Sequence, residues 1–252
     1  SIRAFLDTPV PKDTITKILT IAQRAPSGTN TQPWHVYICA GETRNNIVTD
    51  VQRMFDLGEF TDYDKYDYYP SEWKEIHRNR RRGIGWDLYG LLGIKKGDRE
   101  KSHKQHRRNF CFFDAPVGLF FTTDSYLGKG SWSDVGLFMQ TVMLAARKYN
   151  LHTCPQAAWI NYQQPIFEHL NIPSDQVLVS GMAMGYENKE AISREALNIT
   201  QKIADRSESG ITVVNLTIQN VQPPEEVQAA FSDAIKAAQD AEKTKNEGQA
   251  YA

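Results

Sequence analysis

Residues 25–34 read Ala-Pro-Ser-Gly-Thr-Asn-Thr-Gln-Pro-Trp and crowd Ser27, Thr29, Asn30, Thr31 and Gln32 between a helical and a strand-like pattern. Hydroxyls, carboxamides and open backbone N–H groups at such density suit a ligand rich in acceptors. Pro33 keeps the run out of a helix, and Gly28 widens the backbone conformations open to it. An ordinary connecting loop with capping residues has the same composition, so the run alone does not separate the two readings. A cation, Arg3, precedes a helix that opens between Pro11 and Thr14. Other chemistries lack their residues. There is no Gly-x-Gly-x-x-Gly turn after a strand, no phosphate-binding loop ending in Gly-Lys-Ser/Thr, no His-Glu-x-x-His helix and no Gly-x-Ser-x-Gly elbow. Cys39, Cys111 and Cys154 are widely spaced, without a paired-cysteine motif or a histidine at a recognisable spacing. Cys111, expected in an aromatic strand, and Cys154, beside Pro155, read as small buried groups rather than nucleophiles. Such a pattern suits a protein whose bound cofactor is the reactive centre while side chains hold and tune it.

The elements that must position these residues follow from hydrophobic spacing. Ile15, Ile18, Leu19, Ile21 and Ala22 give a helix over 12–24, and a second is expected over 42–57. His35 to Cys39 alternate as a half-buried strand. A polar aromatic stretch from Tyr63 to Tyr69 leads through Pro70 into a basic helix over 71–82. The whole region 71–108 is rich in Lys, Arg and His, which read singly as a solvated face and together as a field for an anionic substrate or a nicotinamide cofactor's phosphates. Strands are expected at 115–123, 177–184 and 211–218, with the segment 151–155 and a short helix at 165–170 between the first two. Apolar residues all around 132–148 make a helix that belongs in a core or a dimer interface. Pro223 and Pro224 stop the last strand, 225–246 is an Ala/Glu/Lys-rich helical tail, and disorder is expected beyond 246. Strands separated by helices without a regular βαβ cadence favour α+β.

At 252 residues and 40% hydrophobic content the chain supports one large domain with a full core. A net charge of −1 argues against wholesale nucleic-acid binding, and no window has the apolar length of a membrane span. No secretory signal pattern stands at the start of the given sequence, and an odd set of scattered cysteines fits reduced thiols, so a cytoplasmic protein is expected.

Several segments, taken in order, carry a resemblance: Ser1-Ile2-Arg3-Ala4-Phe5, residues 25–34, 85–93, 109–116, 154–159, and Gly185-Tyr186. Over roughly residues 1–220 the chain resembles the nitroreductase family of flavoenzymes, most of all its nitrobenzoate-reductase branch. The resemblance implies residues ahead of Ser1, and an α+β nitroreductase-like fold whose central, mainly antiparallel sheet is flanked by helices. It implies a single domain over 1–222, a C-terminal extension over 223–252, and a homodimer that exchanges its C-terminal strands and builds composite active sites. The implied cofactor is FMN, with NADH or NADPH as electron donor. Ser1 and Arg3 would bind its phosphate, closed by Lys202 and Arg206, while Pro26, Ser27, Gly28 and Asn30 reach the flavin from the partner subunit. Pro155, Gln156, Ala157 and Ala158 would lay a strand-end loop over the isoalloxazine, its backbone N–H groups toward N5 and O4. Ala157-Ala158 stands where well-known bacterial members carry Glu-Gly, which changes the local charge. Arg82 would contact a substrate carboxylate or the ribityl–phosphate region, and Trp86, Tyr89, Phe112 and Trp159 would wall the side taking an aromatic acceptor. Ping-pong reduction of a nitroaromatic to nitroso and hydroxylamino products follows. Reductive dehalogenation, enone or quinone reduction on the same scaffold is the first alternative. A non-catalytic flavin-binding or partner-binding module using 71–108 and 225–246 is the second.

Overall fold

A computed structural model describes residues 2–61 and 66–191, together with residues 201 and 212. Its strands are β1 (His35–Ala40), β2 (Val117–Asp124), β3 (His152–Gln156) and β4 (Gln176–Gly185), hydrogen-bonded antiparallel in the order β1-β2-β4-β3. Its helices are α1 (Lys12–Ala22), α2 (Gly41–Leu57), α3 (Glu75–Leu91), α4 (Arg99–Arg107), α5 (Lys129–Arg147) and α6 (Gln163–Leu170). The α+β class and the antiparallel sheet agree with the sequence reading.

The sheet is covered on both faces. Val117, Leu119 and Phe121 of β2 join Met182 and Met184 of β4 against Ile15, Ile18 and Ala22 of α1 and Val135, Phe138 and Val142 of α5. Phe120, Leu178 and Ala183 point the other way, toward Ile47 and Val51 of α2, Ile166 of α6 and a cluster of aromatic rings. Every residue from Val117 to Thr123 is therefore buried, and the strand reads as a continuous apolar run rather than an alternating one. The apolar helix expected at 132–148 turns its buried residues, spaced at 135, 138, 142, 145 and 146, onto the sheet, while Leu137 stays 46% exposed on the outer side.

Two segments depart from expectation. Helix α3 runs nine residues past 82, through Gly83, Gly85 and Gly90. A helical glycine costs only about 1 kcal/mol, which an otherwise helix-compatible run tolerates. Cys111 lies not in a strand but in the 3-10 segment Arg108–Asp114, whose residues Phe112, Phe113 and Asp114 take φ of 55°, 52° and 72°. A left-handed backbone costs roughly 1–2 kcal/mol per residue. Burying an aromatic ring returns about 1.5–3 kcal/mol, and this turn buries Phe110, Phe112 and Phe113 together.

The N-terminal segment is tied to the same turn. Phe5 N donates to Phe113 O at 3.2 Å, Leu6 N to Tyr186 O at 2.8 Å and Asn188 N to Ala4 O at 3.1 Å, so Arg3 is delivered beside the aromatic turn and the end of β4. Among the described residues no helix is long and apolar enough to cross a membrane. The strand expected at 211–218, its exchange between subunits and the tail at 225–246 lie outside the described residues.

Candidate active site

The polar run after α1 folds into a strained, self-bonded turn. Thr29, Asn30 and Gln32 have φ of 50°, 60° and 49°, three non-glycine residues in the left-handed region within four positions. Such residues cost of order 1 kcal/mol or more each, persist only where their surroundings over-determine them, and cluster at ligand clamps. Here the determinants are visible. Ser27 Oγ accepts from Gln32 N at 2.9 Å, Thr31 Oγ1 and Thr29 Oγ1 donate to Gly28 O at 2.6 and 2.8 Å, and Gln32 Nε2 donates to Asn30 Oδ1 at 3.1 Å. A tether to α5 completes the set, with Gly28 N donating to Asp134 Oδ2 at 3.1 Å. Pro26, Gly28 and Asn30 are exposed and Ser27 is half-buried, so the turn offers its polar edge outward.

A second patch surrounds Phe113. The guanidinium carbons of Arg3 and Arg108 each stand 5.7 Å from its ring centre, and Arg108 Nη2 donates to Arg3 O at 2.9 Å and to Asp114 Oδ2 at 3.4 Å. Arg3 makes no ion pair among the described residues. Arg108 escaped selection in the sequence because it is one of many cations in 71–108; its closeness to Arg3 arises only from the N-terminal segment crossing the turn. The end of β3 meets this patch through Gln156, which is buried and donates from Nε2 to Asn109 O at 2.7 Å. Among the described residues Gln156 Oε1 is buried without a hydrogen-bond partner. Pro155 is half-buried, and Ala157 and Ala158, also half-buried, open the 3-10 segment Ala157–Tyr162.

Two expected substrate-wall residues prove to be core. Phe112 and Trp159 are both fully buried and stack on each other, ring centres 4.4 Å apart. Each lies flat on a glycine of the sheet: a Cβ on Gly118 would come 2.3 Å from the Phe112 ring, and one on Gly181 would come 2.3 Å from Trp159 Cδ1. Neither ring presents a face to a ligand. The signal for this was the glycine within each otherwise apolar strand, which marks a close approach.

The other two lie together. Trp86 and Tyr89 line a groove of about 360 Å³ on α3 with Arg82, Arg78, Arg81, Gly85 and Trp73. Arg81 stands 4.8 Å over Tyr69 and 5.2 Å over Trp73, and Lys96 Nζ lies 5.9 Å over Trp86. Ser1, Lys202 and Arg206 lie outside the described residues. Two of the thiols are poor nucleophiles: burial, only partly opposed by Arg44, pushes Cys39 up to about 12, and burial followed by Asp114 raises Cys111. Among the described residues no group of His, Cys, Asp and Glu is arranged to hold a metal ion.

Comparison with known proteins supplies the frame for these patches. The model of the nitroreductase family matches residues 1–186, a span that contains the strained turn, the Arg3–Arg108 patch, the β3 end and the α3 groove. The chain belongs to the nitroreductase family. This nitroreductase is 36% identical over 192 residues to a 4-nitrobenzoate reductase of Nocardioides sp. (strain LMS-CY), covering 75% of this chain and 78% of that one. It is 37% identical over 202 residues to a nitrobenzene nitroreductase of Ectopseudomonas oleovorans, covering 77% and 88%. Its fold superimposes with a TM-score of 0.72 on the crystal structure of the FMN and NADPH-dependent nitroreductase NfnB from Sphigopyxis sp. strain HMH, at 37% identity over 76% of this chain and 86% of that one. A separate, shorter similarity joins the nitroreductase to proteins named HflK from Vibrio parahaemolyticus, Haemophilus influenzae and Vibrio cholerae. It spans 77–80 residues at 30–36% identity, 31–32% of this chain but only 17–20% of theirs.

Proposed function

We propose that this nitroreductase uses FMN to carry reducing equivalents from NADH or NADPH to nitroaromatic acceptors. The observation that carries the reading is the family match over residues 1–186, within which relatives named for nitroarene reduction are 36–37% identical across three quarters of the chain. Bound FMN supplies the hydride acceptor and donor. Per two electrons, a hydride equivalent and a proton convert a nitro group to a nitroso group and water.

The residues present fit such a cofactor. Arg3, without an ion pair among the described residues and held in place by Arg108, has the charge for a phosphate. The outward hydroxyls and amides of the turn at 27–32 match a polyol chain, and the orphaned Gln156 Oε1 is an acceptor waiting for an N–H. Pro155, Ala157 and Ala158 keep the β3 end shaped to receive a ring system. The protein's task is holding, orienting and excluding water, since burial raises the Cys39 and Cys111 thiols and disfavours their thiolates.

In one chain these groups form separate patches: the turn is anchored on α5, Arg3 and Gln156 gather around Arg108–Asp114, and Arg82, Trp86 and Tyr89 stand on α3. A homodimer whose subunits each complete the other's site joins them, and free thiols at Cys39 and Cys111 fit the reducing cytoplasm. The family match stops at residue 186, ahead of the boundary at 222 expected from the sequence. Arg206→Ala separates the two boundaries: unchanged FMN retention fits a unit ending near 186, and markedly weakened retention restores the expected phosphate role of Lys202 and Arg206.

The direct test is spectroscopic. The purified protein is expected to be yellow, to bleach without oxygen on addition of NADH or NADPH, and to regain its colour with a nitroarene. Bound flavin that neither nucleotide bleaches would leave a flavin-binding module instead.

A further inference from the structure

We propose that Arg44, near the start of α2, is a positioning residue for the cofactor's phosphate: it locks the aromatic turn at 108–114 and so sets where Arg3 stands. This rests on the reading above in which Arg3 receives the phosphate of FMN.

Arg44 has no local reason to stand where it does. It is the fourth residue of α2, toward the positive end of the helix dipole, where a cation is disfavoured. Among the described residues it makes no ion pair, and its Nε is buried without a hydrogen-bond partner. An unsatisfied buried nitrogen costs free energy that the side chain's other contacts must offset. Nη1 donates to Asn45 Oδ1 at 2.9 Å and Nη2 to Cys111 O at 2.7 Å. The guanidinium carbon also stands 5.7 Å from the centre of the Phe112 ring. With both terminal nitrogens turned onto the protein, Arg44 is a brace and not a ligand.

The carbonyl it holds belongs to a backbone that needs outside support. Phe112, Phe113 and Asp114 follow Cys111 directly with φ of 55°, 52° and 72°, and such a run persists only where its surroundings over-determine it. Those surroundings include three donors on alternate carbonyls. Gln156 Nε2 at the end of β3 donates to Asn109 O at 2.7 Å, Arg44 Nη2 to Cys111 O, and Phe5 N in the N-terminal segment to Phe113 O at 3.2 Å. Of the three only Arg44 is charged, and a charge-assisted bond is roughly twice as strong as a neutral one.

Both cations of the phosphate patch depend on this turn. Arg108 opens it and donates to Arg3 O, and the Phe113 ring centre lies 5.7 Å from either guanidinium carbon. Two like charges gathered on one ring repel, so the backbone beneath them sets their spacing. Releasing Cys111 O lets the left-handed run relax, moves Phe113 and Arg108, and frees Arg3 to swing away from a phosphate.

FMN and riboflavin differ only in the phosphate, so their affinity ratio reads Arg3 directly. Fluorescence titration of the flavin-stripped full chain should give FMN about a hundredfold tighter than riboflavin. Arg44→Met, which keeps the apolar stem, should cut that preference about tenfold, whereas Arg44→Lys, which keeps a charged donor, should cut it less than about twofold. Should Arg44→Met not fold, Arg44→Gln, a donor without the charge, takes its place with an expected cut of about threefold. In an Arg3→Ala background Arg44→Met should move the preference less than about twofold, because the residue it acts through is gone. A merely structural Arg44 weakens both flavins alike, so an unmoved ratio, or full additivity with Arg3→Ala, overturns the proposal. Amide exchange gives a readout without flavin. Phe5 N and Ala115 N donate to carbonyls of the turn, and in Arg44→Met both should exchange about tenfold faster while the amide of buried Ile18 in α1 does not change. If the wild-type protein binds neither flavin, the flavin reading fails, and the exchange data still decide whether Arg44 sets the turn: unchanged rates at Phe5 and Ala115 mean that it does not.

Discussion

Phe112 and Trp159 show how one missing methyl group decides what a side chain is for. Their rings stack flat on Gly118 and Gly181, so residues that read as substrate walls become the centre of the core. Gly181→Ala should therefore destabilise the fold by about 2–3 kcal/mol through overpacking against Trp159, read as a lower denaturation midpoint with unchanged m-value. A second residue links structure to pH. Burial, then Arg147, pushes His152 down to about 4, and these outweigh Glu187, whose Oε2 lies 3.4 Å from Nε2. Because the folded value lies below the ordinary one near 6.5, the unfolded chain binds the proton more readily. The stability tied to a neutral His152 is complete above about pH 6.5 and is lost as pH falls toward 4. His152→Gln should flatten that loss, visible as a smaller drop in the urea midpoint between neutral and mildly acidic buffer.

At the scale of elements, the turn at 27–32 is rigid because of hydrogen bonds and not because of its own sequence preferences. Its polar composition and its place between α1 and β1 were legible, since helix and strand periods change across it. Its anchor was not: Asp134 is a solitary acid on a helix read as apolar, and only packing of α5 under the turn brings Oδ2 to 3.1 Å from Gly28 N. Asp134→Ala should cost about 0.5–1.5 kcal/mol of stability but speed FMN release several-fold, because three left-handed residues then relax. Fluorescence recovery of released flavin measures the second effect. Helix α3 is the complementary case. Its cations are visible in the sequence as a cluster, but the helix expected over 71–82 runs on to Leu91, and only that extension puts Arg82, Trp86 and Tyr89 on one face.

For the whole molecule, the question is how separate patches become one site. The strained turn, the Arg3 patch and the α3 groove belong to different elements of one chain, and a second copy is the simplest way to face them together. Sedimentation equilibrium at micromolar concentration should return twice the mass of 28.7 kDa; a single-chain mass would mean that each site is completed some other way.

The ordered motifs of the first 186 residues were enough to read the family, the α+β class and the polar and cationic segments of the site, because spacing along the chain preserves hydrophobic period and local hydrogen-bonding capacity. Which aromatic rings are core, which acid holds the turn and which arginine holds Arg3 depended on contacts between residues up to 106 positions apart. Such contacts arise only when two faces of a sheet and the helices on them close-pack, a constraint no local pattern carries.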